Sequence, residues 1–150
     1  MILPIIFVIL LIISSIYDLR TMCIPIWIAS ANLLMGILAV VWNFFNDKSS
    51  LSEYGLTILL AVIIILSCVL FRVLKAEAIG FGDGLVMLSI NFVFGGEWTI
   101  SIFCISFLLC GIVSGVLMVI KKASRKTRIP FIPFLASGAL VQLMLSYGRY

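Results

Sequence analysis

The sequence predicts an all-α membrane protein, a polytopic bundle of about six transmembrane helices in which the fourth is short. Three observations indicate this fold class. Of the 150 residues, 64% are hydrophobic and 11% are charged, whereas about a quarter of the residues in an ordinary soluble domain are charged. The mean hydropathy is +1.34. The apolar residues also form runs close to the length that a bilayer core requires.

These apolar runs define the candidate spans. A bilayer core about 30 Å thick requires roughly 20 apolar residues per helix. The first run lacks the basic start and the small-residue cleavage site of a signal peptide, so we expect it to be retained. The fourth run would rise only about 20 Å as a helix, so it either tilts, stops below the far interface or is re-entrant. The predicted spans are residues 1–17, 26–45, 56–74, 84–96, 99–120 and 129–147.

The basic residues predict how the bundle is oriented. Cytoplasmic loops of membrane proteins carry an excess of Lys and Arg. Here the connections after the first, third and fifth spans hold eight basic residues, against two elsewhere. We therefore expect these connections to face the cytoplasm and both termini to lie outside. The eight are Arg20, Arg72, Lys75, Lys121, Lys122, Arg125, Lys126 and Arg128, and the other two are Lys48 and Arg149.

The same topology explains the net charge of +4 without nucleic acid as a partner, because the basic residues are spread among short loops. No repeat or linker divides the chain, so we expect residues 1–150 to form a single transmembrane domain.

The sequence has no histidine, and its four cysteines include no CxxC pair. A zinc site would lack its usual ligands, so we expect no metal, and histidine-dependent catalysis is excluded. Acid–base chemistry would then fall to carboxylates, Lys, Tyr or Cys.

Two aspartates lie at the predicted cytoplasmic boundary. Asp18 follows the first span, and Asp83 precedes the fourth in the string GFGDG. Ionisable groups at membrane depth are costly and commonly functional. Each also has a structural explanation, Asp18 as an interfacial residue beside Arg20 and Asp83 as a helix N-cap or turn residue. If the two aspartates meet, repulsion between like charges makes them share one proton, and the pair can then act as acid and base on water.

Three glycines surround Asp83. Gly80, Gly82 and Gly84 carry no Cβ, so the backbone there can adopt positive φ and let an extended peptide approach the acid. We therefore expect these glycines to help position a substrate.

Three motifs, taken in order, resemble the type IV prepilin peptidase family of membrane aspartyl proteases. They are YDLRTMCIP after the first span, GFGDG at the fourth, and IPFIPFLASG opening the sixth. The resemblance implies that Asp18 and Asp83 are the catalytic pair of a GxGD-type protease, held at the cytoplasmic face of a six-span peptidase domain. It also implies substrate-positioning roles for Pro25, Pro130 and Pro133. The structural explanation of the last two is that a helix tolerates proline in its first turn.

The resemblance further implies a substrate and a location. Family members cleave prepilin-like precursors after a short basic leader ending in Gly, at the plasma membrane of prokaryotes. Larger members carry a cysteine-bearing cytoplasmic insertion and methylate the new amine. This chain has no such insertion, so we expect a peptidase without a methyl donor or other cofactor.

Two departures from the family pattern concern substrate positioning. Gly84 and Leu85 follow GxGD, where many members have a hydrophobic residue and then Lys, and Ile26 stands where Asn often follows IP. Arg72 or Lys75 is a candidate substitute for the missing lysine.

Two other classes of function remain open from the sequence. A small transporter or proton channel also uses membrane carboxylates, although transporters usually show inverted repeats and this chain shows no internal symmetry. An inactive scaffold subunit is the second alternative, and Leu85 is the feature that indicates it. Presenilin-type GxGD proteases need more spans than 150 residues can hold. From the sequence, either aspartate can serve as the acid, and any oligomeric state is possible.

Overall fold

The structure, a computed structural model, describes residues 2–22, 24–46, 51–73, 80–120 and 129–147. These residues form helices and no strand, so the predicted all-α fold is confirmed. The fourth helix is the shortest, as predicted; its 14 residues rise only about 21 Å. The helices are α1 (Ile2–Thr21), α2 (Ile26–Asn46), α3 (Leu51–Val73), α4 (Phe81–Phe94), α5 (Gly96–Val119) and α6 (Ile132–Tyr147).

Several helix ends differ from the predicted ones by a few residues. Helix α3 begins at Leu51 instead of residue 56, and α4 begins at Phe81 instead of residue 84. These starts extend beyond the apolar runs because backbone N–H and C=O groups need partners wherever water is scarce, whereas α4 ends earlier, at Phe94, and α6 begins later, at Ile132. As a result, Asp83 lies inside the first turn of α4 and not in front of the helix.

Local backbone chemistry ends α1 and begins α2. Met22 has a φ of 52°, and its N–H donates to the carbonyl of Asp18; a left-handed residue of this kind commonly follows a helix C-terminus. Pro25 then offers its carbonyl to the N–H groups of Ile28 and Ala29. Because the first helical N–H groups have no intrahelical acceptor, the missing N–H of Pro25 costs little there.

Helix α4 lies at the centre of the bundle. It packs most extensively against α2 and also contacts α1, α3 and α5. The glycine at position 36 allows the close approach of α2, since a Cβ there would lie 3.0 Å from the Cα of Ser89. Small residues of this kind let membrane helices pack without a gap.

The outer surface of the bundle is apolar, and several polar side chains are buried inside. Phe45 and Val119 are 80% and 83% exposed, whereas Asn32 and Asn91 are fully buried. This distribution is typical of a protein in the hydrocarbon core of a bilayer, which offers no hydrogen-bond partner to a polar group. Three of the described helices are long and apolar enough to cross a bilayer, and three shorter ones are apolar over 10–17 residues. The protein is therefore a helical membrane protein.

The predicted orientation depends on residues that the structure does not describe. Lys48, Lys75 and the basic run at positions 121–128 lie outside the described residues, as does the side chain of Arg72. The charge bias, and the suggestion that Arg72 or Lys75 replaces the missing lysine, therefore remain predictions.

Candidate functional site

Asp18 points into the bundle from the last turn of α1 and is only 4% exposed. Its Oδ2 accepts a hydrogen bond of 3.1 Å from the backbone N–H of Ile132, and the backbone N–H of Phe131 lies beside the same carboxyl group. Ile132 is the first residue of α6, so these N–H groups have no acceptor within the helix. The N-terminus of α6 therefore points at a carboxylate, and a helix N-terminus stabilises negative charge.

Asp83 occupies the first turn of α4 and is partly buried. Its carboxyl group turns back toward the backbone N–H of Gly80, the residue that precedes the helix. An acidic side chain three residues after the N-cap commonly makes this contact. Gly80 and Phe81 beside it are exposed, so this side of Asp83 is open.

The structure brings the two aspartates together. The charge of Asp18 acts on the carboxyl group of Asp83, and α1 contacts α4. The ionisation of one carboxyl group therefore disfavours the ionisation of the other. We call this part of the bundle the aspartate end. It is formed by Asp18, Ile24, Cys68, Asp83 and Ile132.

Two of the three glycines are packing positions. A Cβ on Gly82 would lie 3.1 Å from the Cβ of Ile24, and a Cβ on Gly84 would overlap the Sγ of Cys68. The expectation of positive φ was wrong: Gly82 and Gly84 are helical, and Gly80 has a φ of −68°. The missing side chains let Ile24, just before α2, and Cys68 of α3 pack close to Asp83, and they do not create an unusual backbone conformation.

The packing at Gly84 gives a testable prediction. Gly84→Ala should lower the free energy of unfolding by about 1–3 kcal/mol, because the Sγ of Cys68 must move to make room. In a Cys68→Ala background the same change should cost less. Thermal unfolding of the parent, the two single variants and the double variant measures this coupling. Gly115→Ala is the control, since nothing lies within 4 Å of the Cβ that it adds. Equal costs of Gly84→Ala in both backgrounds would contradict the contact.

The three prolines lie at the starts of helices at the aspartate end. Pro25 precedes α2, Pro130 precedes α6, and Pro133 is the second residue of α6. Pro130 and Pro133 flank the two N–H groups that hold Asp18. The segment therefore contacts the aspartate through its backbone, while the ring of Phe131 packs against that of Phe107.

A cavity of about 760 Å³ lies at the other end of the bundle. Its lining includes aromatic residues from the end of α2 and the start of α3, together with the junction of α4 and α5 around Gly95. Neither aspartate contributes to it. The candidate site is the carboxylate pair and not this cavity.

Sequence reasoning missed three features of the aspartate end. It did not find the backbone donors of Phe131 and Ile132, the thiol of Cys68 beside Gly84, or the buried amide of Asn32. Only the last had a signal in the sequence, because an Asn inside an apolar span is costly unless it has partners.

The fold and the site together define a class: a helical membrane protein with a pair of aspartates at one end of its bundle. The sequence profile of the type IV leader peptidase family matches residues 5–115, a range that contains both aspartates and ends before α6. The chain belongs to this family of peptidases, and the resemblance inferred from the motifs is confirmed. No curated protein and no solved structure matches the chain.

Proposed function

We propose that the protein is a membrane aspartyl endopeptidase that removes the leader from type IV prepilin-like precursors. The observation that carries this proposal is the proximity of Asp18 and Asp83 in a chain of the type IV leader peptidase family. Residues 1–150 act as one transmembrane peptidase domain. The basic connections predict that the aspartate end lies at the cytoplasmic face of a prokaryotic plasma membrane, where a precursor leader is accessible.

In the reaction we assign the base to Asp18 and the acid to Asp83. Backbone N–H donors stabilise a carboxylate more than a carboxylic acid. Asp18 accepts from the N–H of Ile132 and has that of Phe131 beside it, whereas Asp83 has only the N–H of Gly80 beside it among the described residues. The shared proton therefore resides on Asp83. Asp83 is also the more exposed of the two, which suits a group that donates to the substrate.

Hydrolysis proceeds in two balanced steps. In the first, water attacks the peptide carbonyl carbon, its proton passes to Asp18, and the proton of Asp83 passes to the carbonyl oxygen. In the second, Asp83 takes a proton from one hydroxyl of this intermediate as the C–N bond breaks, and Asp18 donates its proton to the leaving nitrogen. Both aspartates return to their starting states, so no cofactor is consumed.

Cleavage of a synthetic precursor tests the proposal. The purified protein in liposomes should cut a peptide with a basic leader, a Gly and an apolar helix once, immediately after the Gly, as mass spectrometry can show. A peptide with a bulky residue in place of that Gly is the matched control and should remain uncut. Failure to cut any of several precursors would refute a peptidase function. A proton flux into the same liposomes would then support a transporter, and its absence an inactive scaffold.

A further inference from the structure

A second buried polar pair lies near the aspartates and has no part in the steps above. Ser14 on α1 and Asn32 on α2 are both fully buried. The Nδ2 of Asn32 donates to the Oγ of Ser14 at 2.9 Å and to the carbonyl of Ile28 at 2.9 Å. The hydroxyl of Ser14 donates in turn to the carbonyl of Leu10. Both donor groups of this pair are therefore engaged.

The amide oxygen of Asn32 is different, because it is buried and has no hydrogen-bond partner among the described residues. An unpaired acceptor in an apolar interior is unfavourable. Proteins commonly satisfy such atoms with internal water, which needs two to four polar partners. The Oγ of Ser14 accepts from the Nδ2 of the same amide group, and a hydroxyl oxygen can accept a second hydrogen bond.

The helix register places this pair beneath the aspartates. Ser14 precedes Asp18 by one turn, on the same face of α1 and about 6 Å along the axis. Along the chain, Asn32 lies between Ile24, which precedes α2 and packs beside Gly82, and Gly36 of α2, which packs beside Ser89. The amide therefore sits between α1, α2 and α4, at a level slightly deeper than Asp83.

We propose that Ser14 and Asn32 bind a single water molecule and that this water supplies the one consumed at the aspartates. The unpaired amide oxygen is the evidence for the water-binding site, and this part does not depend on the proposed function. The role of the water in catalysis rests on the proposed function. Full burial of Asn32 keeps the substrate away from it, and neither side chain carries a charge that would hold an ion. Water is the ligand that fits.

Kinetics of Asn32→Leu test the supply role. This change keeps the volume and removes the acceptor, so kcat should fall by about 10- to 100-fold, with KM unchanged because Asn32 does not reach the substrate. The hydroxyl of Ser14 keeps its own acceptor, the carbonyl of Leu10, so the variant leaves no donor of this pair unpaired and should still fold. A purely structural amide would leave kcat unchanged whatever the change in melting temperature. Asn43→Leu is the control, the same change at the other end of α2, and should alter neither quantity.

Two further measurements complete the test. Ser14→Ala should also lower kcat, and it tests the supply role even if Asn32→Leu does not fold. An experimental structure of the unmodified protein that resolves ordered water should show a water within hydrogen-bond distance of the Asn32 amide oxygen. If that position is dry, the site is wrong. If the parent cleaves and Asn32→Leu keeps its kcat, the supply role is wrong while the peptidase function stands. If the parent cleaves nothing, the proposed function fails and the ordered water alone decides whether the site exists.

Discussion

Asp83→Asn and Asp18→Asn are each expected to lower the rate of precursor cleavage by about 1,000-fold or more. Each aspartate handles a proton in both steps of hydrolysis, and an amide can neither accept nor release that proton at a useful rate. Positioned acid–base groups commonly contribute about 10²- to 10⁴-fold each. A single-turnover assay with excess enzyme measures losses of this size.

The comparison needs a matched change of carboxylate to amide elsewhere. Glu97 lies in the first turn of α5, at the opposite end of the bundle, and is exposed. Glu97→Gln should cleave at the parent rate. The melting temperatures of the two Asn variants should remain close to that of the parent, because Asn has the shape of Asp. Cleavage at the parent rate by either Asn variant would remove that aspartate from the mechanism.

Ile132→Pro is expected to lower kcat by about 10- to 100-fold. Proline removes the N–H that donates to Oδ2 of Asp18, and hydrogen bonds to charged groups are worth about 1.5–3 kcal/mol, where each 1.4 kcal/mol corresponds to about tenfold. The helix itself should persist, because position 132 is the first of α6 and proline is favoured at that position.

Ile132→Val separates the backbone effect from the loss of the buried side chain. Ile132 is fully buried, so this change should cost about 0.5–1.5 kcal/mol in stability while leaving kcat near the parent value. Equal kcat values for the Pro and Val variants would show that the start of α6 does not hold Asp18 in its working state. That result would also remove the reason for assigning the base to Asp18.

The sequence could predict the bundle because hydropathy and helix length are local properties. The apolar runs located all six helices, and Gly95 shows why the boundaries were less certain. Helices α4 and α5 meet with only this residue between them, since a glycine with a φ of 77° can turn the chain without a longer loop. A hydropathy profile detects where an apolar run ends, but it does not detect where the backbone stops being helical.

The groups that contact the two aspartates could not be predicted, because they come from distant parts of the chain that only the folded structure brings together. The aspartates were identifiable as carboxylates beside apolar spans. The donors to Asp18 are backbone groups far away along the chain, and any residue except proline at position 132 would supply one. The glycines show the same limit. Their lack of a side chain was visible, but only the structure shows that Gly84 faces Cys68 and that its backbone is helical.

The pH dependence of kcat tests the central claim, that Asp18 and Asp83 share one proton and act together on one water. A pair that works only with a single proton is inactive when both groups are protonated and again when both are ionised. We therefore expect a bell-shaped profile between about pH 4 and 8, described by two macroscopic constants of the pair, and the same profile for Glu97→Gln. A kcat that stays constant across this range in a protein that remains folded would contradict proton sharing.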